Sequence, residues 1–367
     1  MKANLLIPLL LLAGFAAGIC GTTARVPVYL NALSIEAGHA TGFSNMVFSA
    51  TGEMGMGNPA ALDHLASFSI GLNYDLQTAA DYFEDISATR ARPWLPSSFG
   101  IVYPVGNWHF GLAYRQVYSN YLDYGEIPVT TIIDPEGSET VESWHESLVQ
   151  GAVVIVSYSF SDVFNRGDRL TTGGQINWNV WNDRLKTVQD VTVHSSAFNW
   201  KIGLAYKWNE SSGVGLSYEN GLDLEGTVEG LASIGPAAEL LSLPSRLMLG
   251  MTIDSKSRFS FAGTAAVLFW GDVVNEHENS LNLSFNILYN AGEAVKLSLG
   301  VYQQNLIYQR SDYFGSQLKT GTFLSAGAKT LFNSFAIRLE VLDSHIFSSD
   351  QQKYTVFKLG LDYSLNK

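Results

Sequence analysis

The chain has 367 residues, of which 46% are hydrophobic, 12% aromatic and only 15% charged, against about 25% charged in ordinary soluble domains. Its formal net charge of −12 excludes nucleic acid as a partner, because a nucleic-acid surface must be basic. Low charge together with 17 Tyr, 20 Phe, 8 Trp and 34 Gly favours short strands and turns over helices.

The chain opens Met1-Lys2-Ala3-Asn4 and then runs almost wholly apolar from Leu5 to Ala17. A positive start, a short apolar stretch and small residues after it predict a secretory signal peptide over residues 1–21. Cleavage after Gly21 and cleavage after Ala24 both fit. The stretch is too short to span a bilayer comfortably as a helix. Cys20 is the only cysteine. Ile19 before it departs from the small residue that precedes the cysteine of a lipoprotein signal, and a chain cleaved after Cys20 has no disulfide to rely on.

Residues 22–66 lack sustained alternation and are rich in Gly, Ala, Ser and Met. Met46, Val47, Phe48, Met54, Met56 and Leu62 need burial, which argues for a compact plug segment over a disordered tail. The glycine-rich stretch Gly52-Glu53-Met54-Gly55-Met56-Gly57 follows no strand and opens no helix, so it reads as plug backbone and not as a phosphate loop.

From Ser67 onward the dominant period is two. Trp200, Ile202, Leu204, Tyr206 and Trp208 alternate with Lys201, Gly203, Ala205 and Lys207, and Leu281, Leu283, Phe285, Ile287 and Tyr289 alternate with Asn282, Ser284 and Asn286. Each strand thus has one apolar face and one polar or small face. In the first example two tryptophans bracket an apolar middle, the girdle of a strand that crosses both lipid interfaces. Fourteen segments follow this rule, at 67–76, 98–105, 108–118, 148–160, 170–181, 196–208, 213–222, 245–254, 258–270, 280–290, 294–308, 322–331, 334–345 and 353–365. Most are long enough for a tilted membrane strand.

Connection lengths alternate with them. Links after even-numbered segments are mostly short (106–107, 209–212, 255–257, 291–293, 332–333). Links after odd-numbered segments are mostly long (77–97, 119–147, 182–195, 223–244, 309–321). Short periplasmic turns and long outer loops are the pattern of a closed barrel. The expectation is an all-β protein: a transmembrane antiparallel β-barrel of about fourteen strands over residues 67–367, closed by the N-terminal plug at 22–66.

Two long links are acidic. Residues 119–147 carry Asp123, Glu126, Asp134, Glu136, Glu139, Glu142 and Glu146 without Lys or Arg, and 223–244 carries Glu225, Glu229 and Glu239 without a base. Their spacing matches no calcium loop, and they read as solvated loops. The second contains Leu231, Ile234, Leu240, Leu241 and Leu243, unusually apolar for an exposed loop. That makes Leu231, Ile234, Leu240 and Leu241 candidate ligand contacts, or the packed face of a short helix on the rim. The seven histidines are scattered without ligand spacing, and no nucleophile elbow or nucleotide fingerprint occurs. No catalytic residue, metal or cofactor is expected.

The segment Gly57-Asn58-Pro59-Ala60-Ala61-Leu62 resembles the plug motif of the long-chain fatty acid and aromatic hydrocarbon transporters of the FadL/TodX type, where Asn-Pro-Ala closes the plug before the first of fourteen strands. The resemblance implies that Asn58, Pro59 and Ala60 are plug elements. It also implies a gap in the barrel wall near the third strand, here 108–118, with Gly111 and Ala113 on its lumen face making room for a ligand or for the plug. The implied function is passive uptake of hydrophobic small molecules across the outer membrane of a Gram-negative-type bacterium. The implied partners are a hydrophobic ligand, outer-membrane lipid and lipopolysaccharide, and the barrel-assembly machinery. The last strand, Leu359-Gly360-Leu361-Asp362-Tyr363-Ser364-Leu365, is similar to the signal that machinery reads, although Asn366-Lys367 follow it and the usual terminal aromatic is absent. The acidic pair that usually precedes the plug motif is also missing. PorV/PorQ-like barrels share the scaffold and a similar motif, so a structural, secretion-associated barrel that binds a protein partner stays open as the alternative.

Overall fold

The computed structural model describes residues 23–25, 40–77, 80–83, 86–89, 95–129, 139–187, 190–230, 238–255, 258–270, 279–292, 294–306, 319–347 and 355–365. The expected signal peptide lies outside this set. The strands are β1 (Thr23–Arg25), β2 (Ser69–Gln77), β3 (Ala80–Phe83), β4 (Ile86–Thr89), β5 (Ser98–Val105), β6 (Trp108–Val129), β7 (Glu139–Ser161), β8 (Arg169–Lys186), β9 (Asp190–Asn209) and β10 (Ser212–Glu219). They continue with β11 (Leu222–Glu229), β12 (Ala238–Leu243), β13 (Ser245–Asp254), β14 (Phe259–Phe269), β15 (Ser280–Asn290), β16 (Val295–Leu306), β17 (Lys319–Phe332), β18 (Phe335–Asp343) and β19 (Thr355–Ser364).

Fourteen of these form one closed antiparallel ring, in the order β2, β5, β6, β7, β8, β9, β10, β13, β14, β15, β16, β17, β18, β19. The ring shuts where Ser364 to Val356 of β19 pairs with Ser69 to Gln77 of β2. Closure leaves no strand edge, the condition for a sheet to lie in hydrocarbon. Each of the fourteen ring strands overlaps one of the fourteen alternating segments.

The side chains are distributed inside-out. On β9, Phe198, Trp200, Ile202, Leu204 and Trp208 are exposed, while Asn199, Lys201 and Lys207 are buried. Arg115, Lys201 and Arg338 are among the most deeply buried side chains of the protein. A soluble sandwich would put the apolar face inside and would almost never bury arginines and lysines. The apolar face outward and the polar face toward a packed lumen is the arrangement of an outer-membrane β-barrel.

Turns gather at one end. Gly106 and Asn333 take positive φ there, at 60° and 49°, as tight two-residue hairpins require. In the longer 162–168 turn, the Asp168 carboxylate accepts backbone N–H bonds from Val163 (2.7 Å), Phe164 (3.0 Å) and Asn165 (2.7 Å). The tripeptide Arg166-Gly167-Asp168 is therefore turn chemistry.

At the other end the structure departs from the expected loops. Residues 119–147 are largely ladder: β6 and β7 stay paired out to Val129 and Glu139, with single-residue irregularities at 117 and 124. Residues 223–244 include a second hairpin, β11–β12. Backbone pairing continues past the apolar band because water does not penalise a polar strand. The acidic side chains only hide its period.

Candidate functional site: plug, cavity and charged floor

Plug residues 40–63 are buried, apart from the half-buried Phe43 and Phe48. A short 3-10 turn, Thr51–Glu53, sits at their centre. Asn58 is the pivot of the plug. Its side-chain amide donates to Met46 O (2.8 Å) within the plug and to Leu204 O (2.9 Å) on β9, while its Oδ1 accepts the Ala60 N–H (3.0 Å). One residue thus satisfies two carbonyls and one amide that burial would otherwise orphan.

The plug reaches the wall because the wall has glycines where they meet. A side chain at Gly203 would overlap Asn58, at Gly173 Pro59, at Gly215 Met46, at Gly100 Thr51 and at Gly71 Gly52. Gly71 pairs with Gly100, Gly173 with Gly203 and Gly215 with Gly250. Cross-strand glycine pairs thus form contact points around the barrel at which backbone touches backbone.

Ion pairs complete the suture. Asp63 of the plug meets Lys207 (2.5 Å) and Arg169 (3.7 Å). Glu53 meets Arg338 (3.2 Å), which also holds Glu340 (3.1 Å) and Asp362 (3.2 Å). Asp362 in turn accepts the Gly52 N–H (3.1 Å). Lys201 donates to Met56 O (2.6 Å) and Gly57 O (3.2 Å), and Arg115 to Gly55 O (3.2 Å).

On the outer side of the plug lies a cavity of about 120 Å³. Its wall is largely apolar, with Val117, Leu222, Leu243, Met248, Ala266 and Leu268, and Met56 of the plug also lines it. Its floor is charged. Glu219 receives Arg115 (2.8 Å), Lys201 (3.0 Å) and Arg246 (2.8 Å), so these four groups leave a surplus of positive charge beneath an apolar chamber. Beyond the cavity, Tyr118, Val149, Trp181, Val193, Leu222, Leu224, Leu241 and Leu243 form one apolar cluster.

Asn58, Pro59 and Ala60 therefore lie in the plug against β8 and β9. Gly111 and Ala113 do face the lumen from β6, where Met54 and Gly55 pack on them. Both stand in continuous ladders, Gly111 between Val102 and Ile155 and Ala113 between Gly100 and Val153. Of the candidate ligand contacts, Leu240 and Leu241 are on β12, with Leu241 fully buried in the apolar cluster. Leu231 and Ile234 lie outside the described residues. Sequence reasoning missed the floor, Arg115, Lys201, Glu219 and Arg246. The available signal was charge on the lumen face of strands whose other face is lipid-facing. Among the described residues no cluster of His, Cys, Asp or Glu suited to a metal ion is present.

Neither a scan of protein-family models nor a search of curated proteins finds a match to this chain. Solved structures do match. The Pseudomonas putida toluene transporter TodX aligns with TM-score 0.61 at 15% identity, over 94% of this chain and 100% of that one. A Pseudomonas aeruginosa FadL homologue aligns with TM-score 0.62 at 14% identity, over 93% and 100%. The CymD monoaromatic hydrocarbon channel aligns with TM-score 0.57 at 14% identity, over 93% and 100%. At these identities the likeness establishes the fold, which is that of the FadL/TodX channels along nearly the whole chain.

Proposed function

We propose that this barrel is a non-enzymatic channel for passive movement of hydrophobic small molecules, long-chain fatty acids or aromatic hydrocarbons, across the outer membrane of a Gram-negative-type bacterium. The observation that carries the reading is the apolar cavity held between a sutured plug and an apolar outer cluster. Hydrophobic solutes cross the polar layer of lipopolysaccharide poorly, and a protein chamber offers them a dry surface on the far side of it. Size narrows the choice. An apolar cavity of about 150 Å³ holds benzene, so a chamber of about 120 Å³ suits one small ring or the end of an acyl chain. An acyl chain would extend from it along the outer cluster, with its carboxylate over the cationic floor. The names of the similar TodX and CymD structures, a toluene transporter and a monoaromatic hydrocarbon channel, support the aromatic branch.

The test is uptake of radiolabelled toluene, and separately oleate, into cells with and without the gene and with Ala266→Trp, which fills the cavity from β14. Faster uptake with the wild-type gene, lost in Ala266→Trp with the barrel still assembled, supports the channel. No difference for either solute, with folded protein in the outer membrane, shifts the assignment to a PorV/PorQ-like barrel that binds a protein partner.

A further inference from the structure

The wall is interrupted between β9 and its neighbours β10 and β11. The β9–β10 ladder ends at Lys201 with Glu219, and pairing of β9 resumes only at His194 with Thr227 of β11. Between them, residues 195–200 and 220–226 share no ladder pair. Asn220 bridges the start of the interval: its N–H donates to Trp200 O (3.1 Å) and its Oδ1 accepts the Trp200 N–H (2.6 Å). Ser195 Oγ donates to Glu225 O (2.7 Å) further out.

The same place is a break in the hairpin itself. β10 stops at Glu219 and β11 starts at Leu222, with Asn220-Gly221 between; β12 stops at Leu243 and β13 starts at Ser245, with Pro244 between. Pro244 contributes no N–H and Gly221 no side chain, so neither position carries the ladder across the break. Beyond it, the underside of β11–β12 presents Leu222, Leu224, Leu241 and Leu243, which pack on Tyr118, Val149, Trp181 and Val193 of the wall. Leu222, Leu243 and Pro244 also line the cavity. The hairpin therefore covers the chamber.

At its edge three titratable groups meet, all outward of the apolar band. His145 Nε2 lies 2.8 Å from Asp183 Oδ1 across β7 and β8. Asp183 Oδ2 is buried without a hydrogen-bond partner. Glu239 of β12, 8% exposed, lies on the same face of its strand as Leu241 and Leu243 and within reach of the charges of both. On either side of it in the sheet stand Gly226 of β11 and Ala24 of β1, and Arg25 follows in the β1 ladder opposite Leu240.

We propose that β11–β12 is a lid over the cavity, hinged at Asn220-Gly221 and Pro244, which stays docked while Glu239 carries its proton and loosens when Glu239 ionises against Asp183. This regulates the chamber assigned above and rests on that reading only for its effect on uptake. Burial, with Asp183 adding to it and His145 opposing, lifts the Glu239 carboxyl to about 7. In an undocked hairpin it would return to the ordinary value of about 4.3. A group raised in the docked state contributes docking stability that is complete below the undocked value and is lost as pH rises through about 7. His145 acts in the same direction. Burial disfavours its charge, but Asp183 outweighs burial and raises it. As pH climbs, the imidazolium that softens the Asp183–Glu239 repulsion disappears. The docking equilibrium should therefore fall by about two orders of magnitude between acid and mildly alkaline conditions.

The experiment is spin-label distance measurement on the full purified barrel in lipid, with labels at Glu225→Cys on the lid and Ser211→Cys on the opposite turn, in a Cys20→Ser background. The expected result is one narrow distance at pH 5.5 and a second, broader population at pH 8.5. Glu239→Gln should hold the narrow distance at both. Asp183→Asn removes the charge against which Glu239 ionises, so the second population should shrink at pH 8.5. An unchanged distribution in wild type across this range, or a pH response that survives Glu239→Gln, overturns the lid. A lid that moves in a barrel that takes up neither toluene nor oleate would instead overturn the transport reading and leave the lid standing.

Discussion

Replacing Asn58 with Asp keeps the side chain's shape and turns its only donor into an acceptor. The native amide donates to Met46 O at 2.8 Å and to Leu204 O at 2.9 Å. In the Asn58→Asp protein both contacts become oxygen against oxygen, while the bond from the Ala60 N–H is kept. Each buried carbonyl that loses its donor costs about 1–3 kcal/mol, so the seating of the plug should weaken by roughly 2–6 kcal/mol before charge repulsion is counted. A protonated carboxyl can donate one bond and repair one of the two contacts, so the defect should be smaller in acid and larger as pH rises. Single-channel conductance in planar bilayers reads this directly. Wild type should pass almost no ions because the plug fills the lumen. Asn58→Asp should show openings whose frequency increases from pH 4 to pH 8. A variant as silent as wild type at both pH values, with unchanged hydrogen-exchange protection of residues 40–66, would refute the assignment of Asn58 as the pivot.

Gly203→Val places a side chain where Asn58 now lies and should produce the same ion leak without the pH dependence; a silent channel would show that the plug does not need that contact. Lys207→Met leaves Asp63 buried with Arg169 only at 3.7 Å and should lower stability by about 3–5 kcal/mol, with much of the loss recovered in the Lys207→Met/Asp63→Asn double variant; urea unfolding in lipid vesicles measures both. Leu204→Arg puts a cation on the lipid-facing side of β9, where Leu204 is now exposed, and should cost about 2–4 kcal/mol in the same assay. A neutral result there would contradict the inside-out orientation of that strand.

The period of two determined the barrel. In a strand every second side chain must face the same environment, so the alternation of Trp200, Ile202, Leu204 and Trp208 with Lys201, Gly203 and Lys207 states that lipid lies on one side and packed polar groups on the other. Strand number and the parity of the turns followed from the same local rule. The role of the glycines did not. Gly203 and Gly173 read as small lumen residues like any others, and only the closed ring shows that they pair with each other and admit Asn58 and Pro59 against the wall. Attention to Gly111 and Ala113 came from resemblance; the interruption at Asn220-Gly221 came only from the ladders. No local pattern marks that site, because a missing ladder is a relation between strands, here between residues as far apart in the chain as His194 of β9 and Thr227 of β11. The charged floor is of the same kind. Lys201 and Arg246 are the ladder partners of Glu219 on the adjoining strands, whereas Arg115 of β6 reaches Glu219 only across the lumen of the closed barrel.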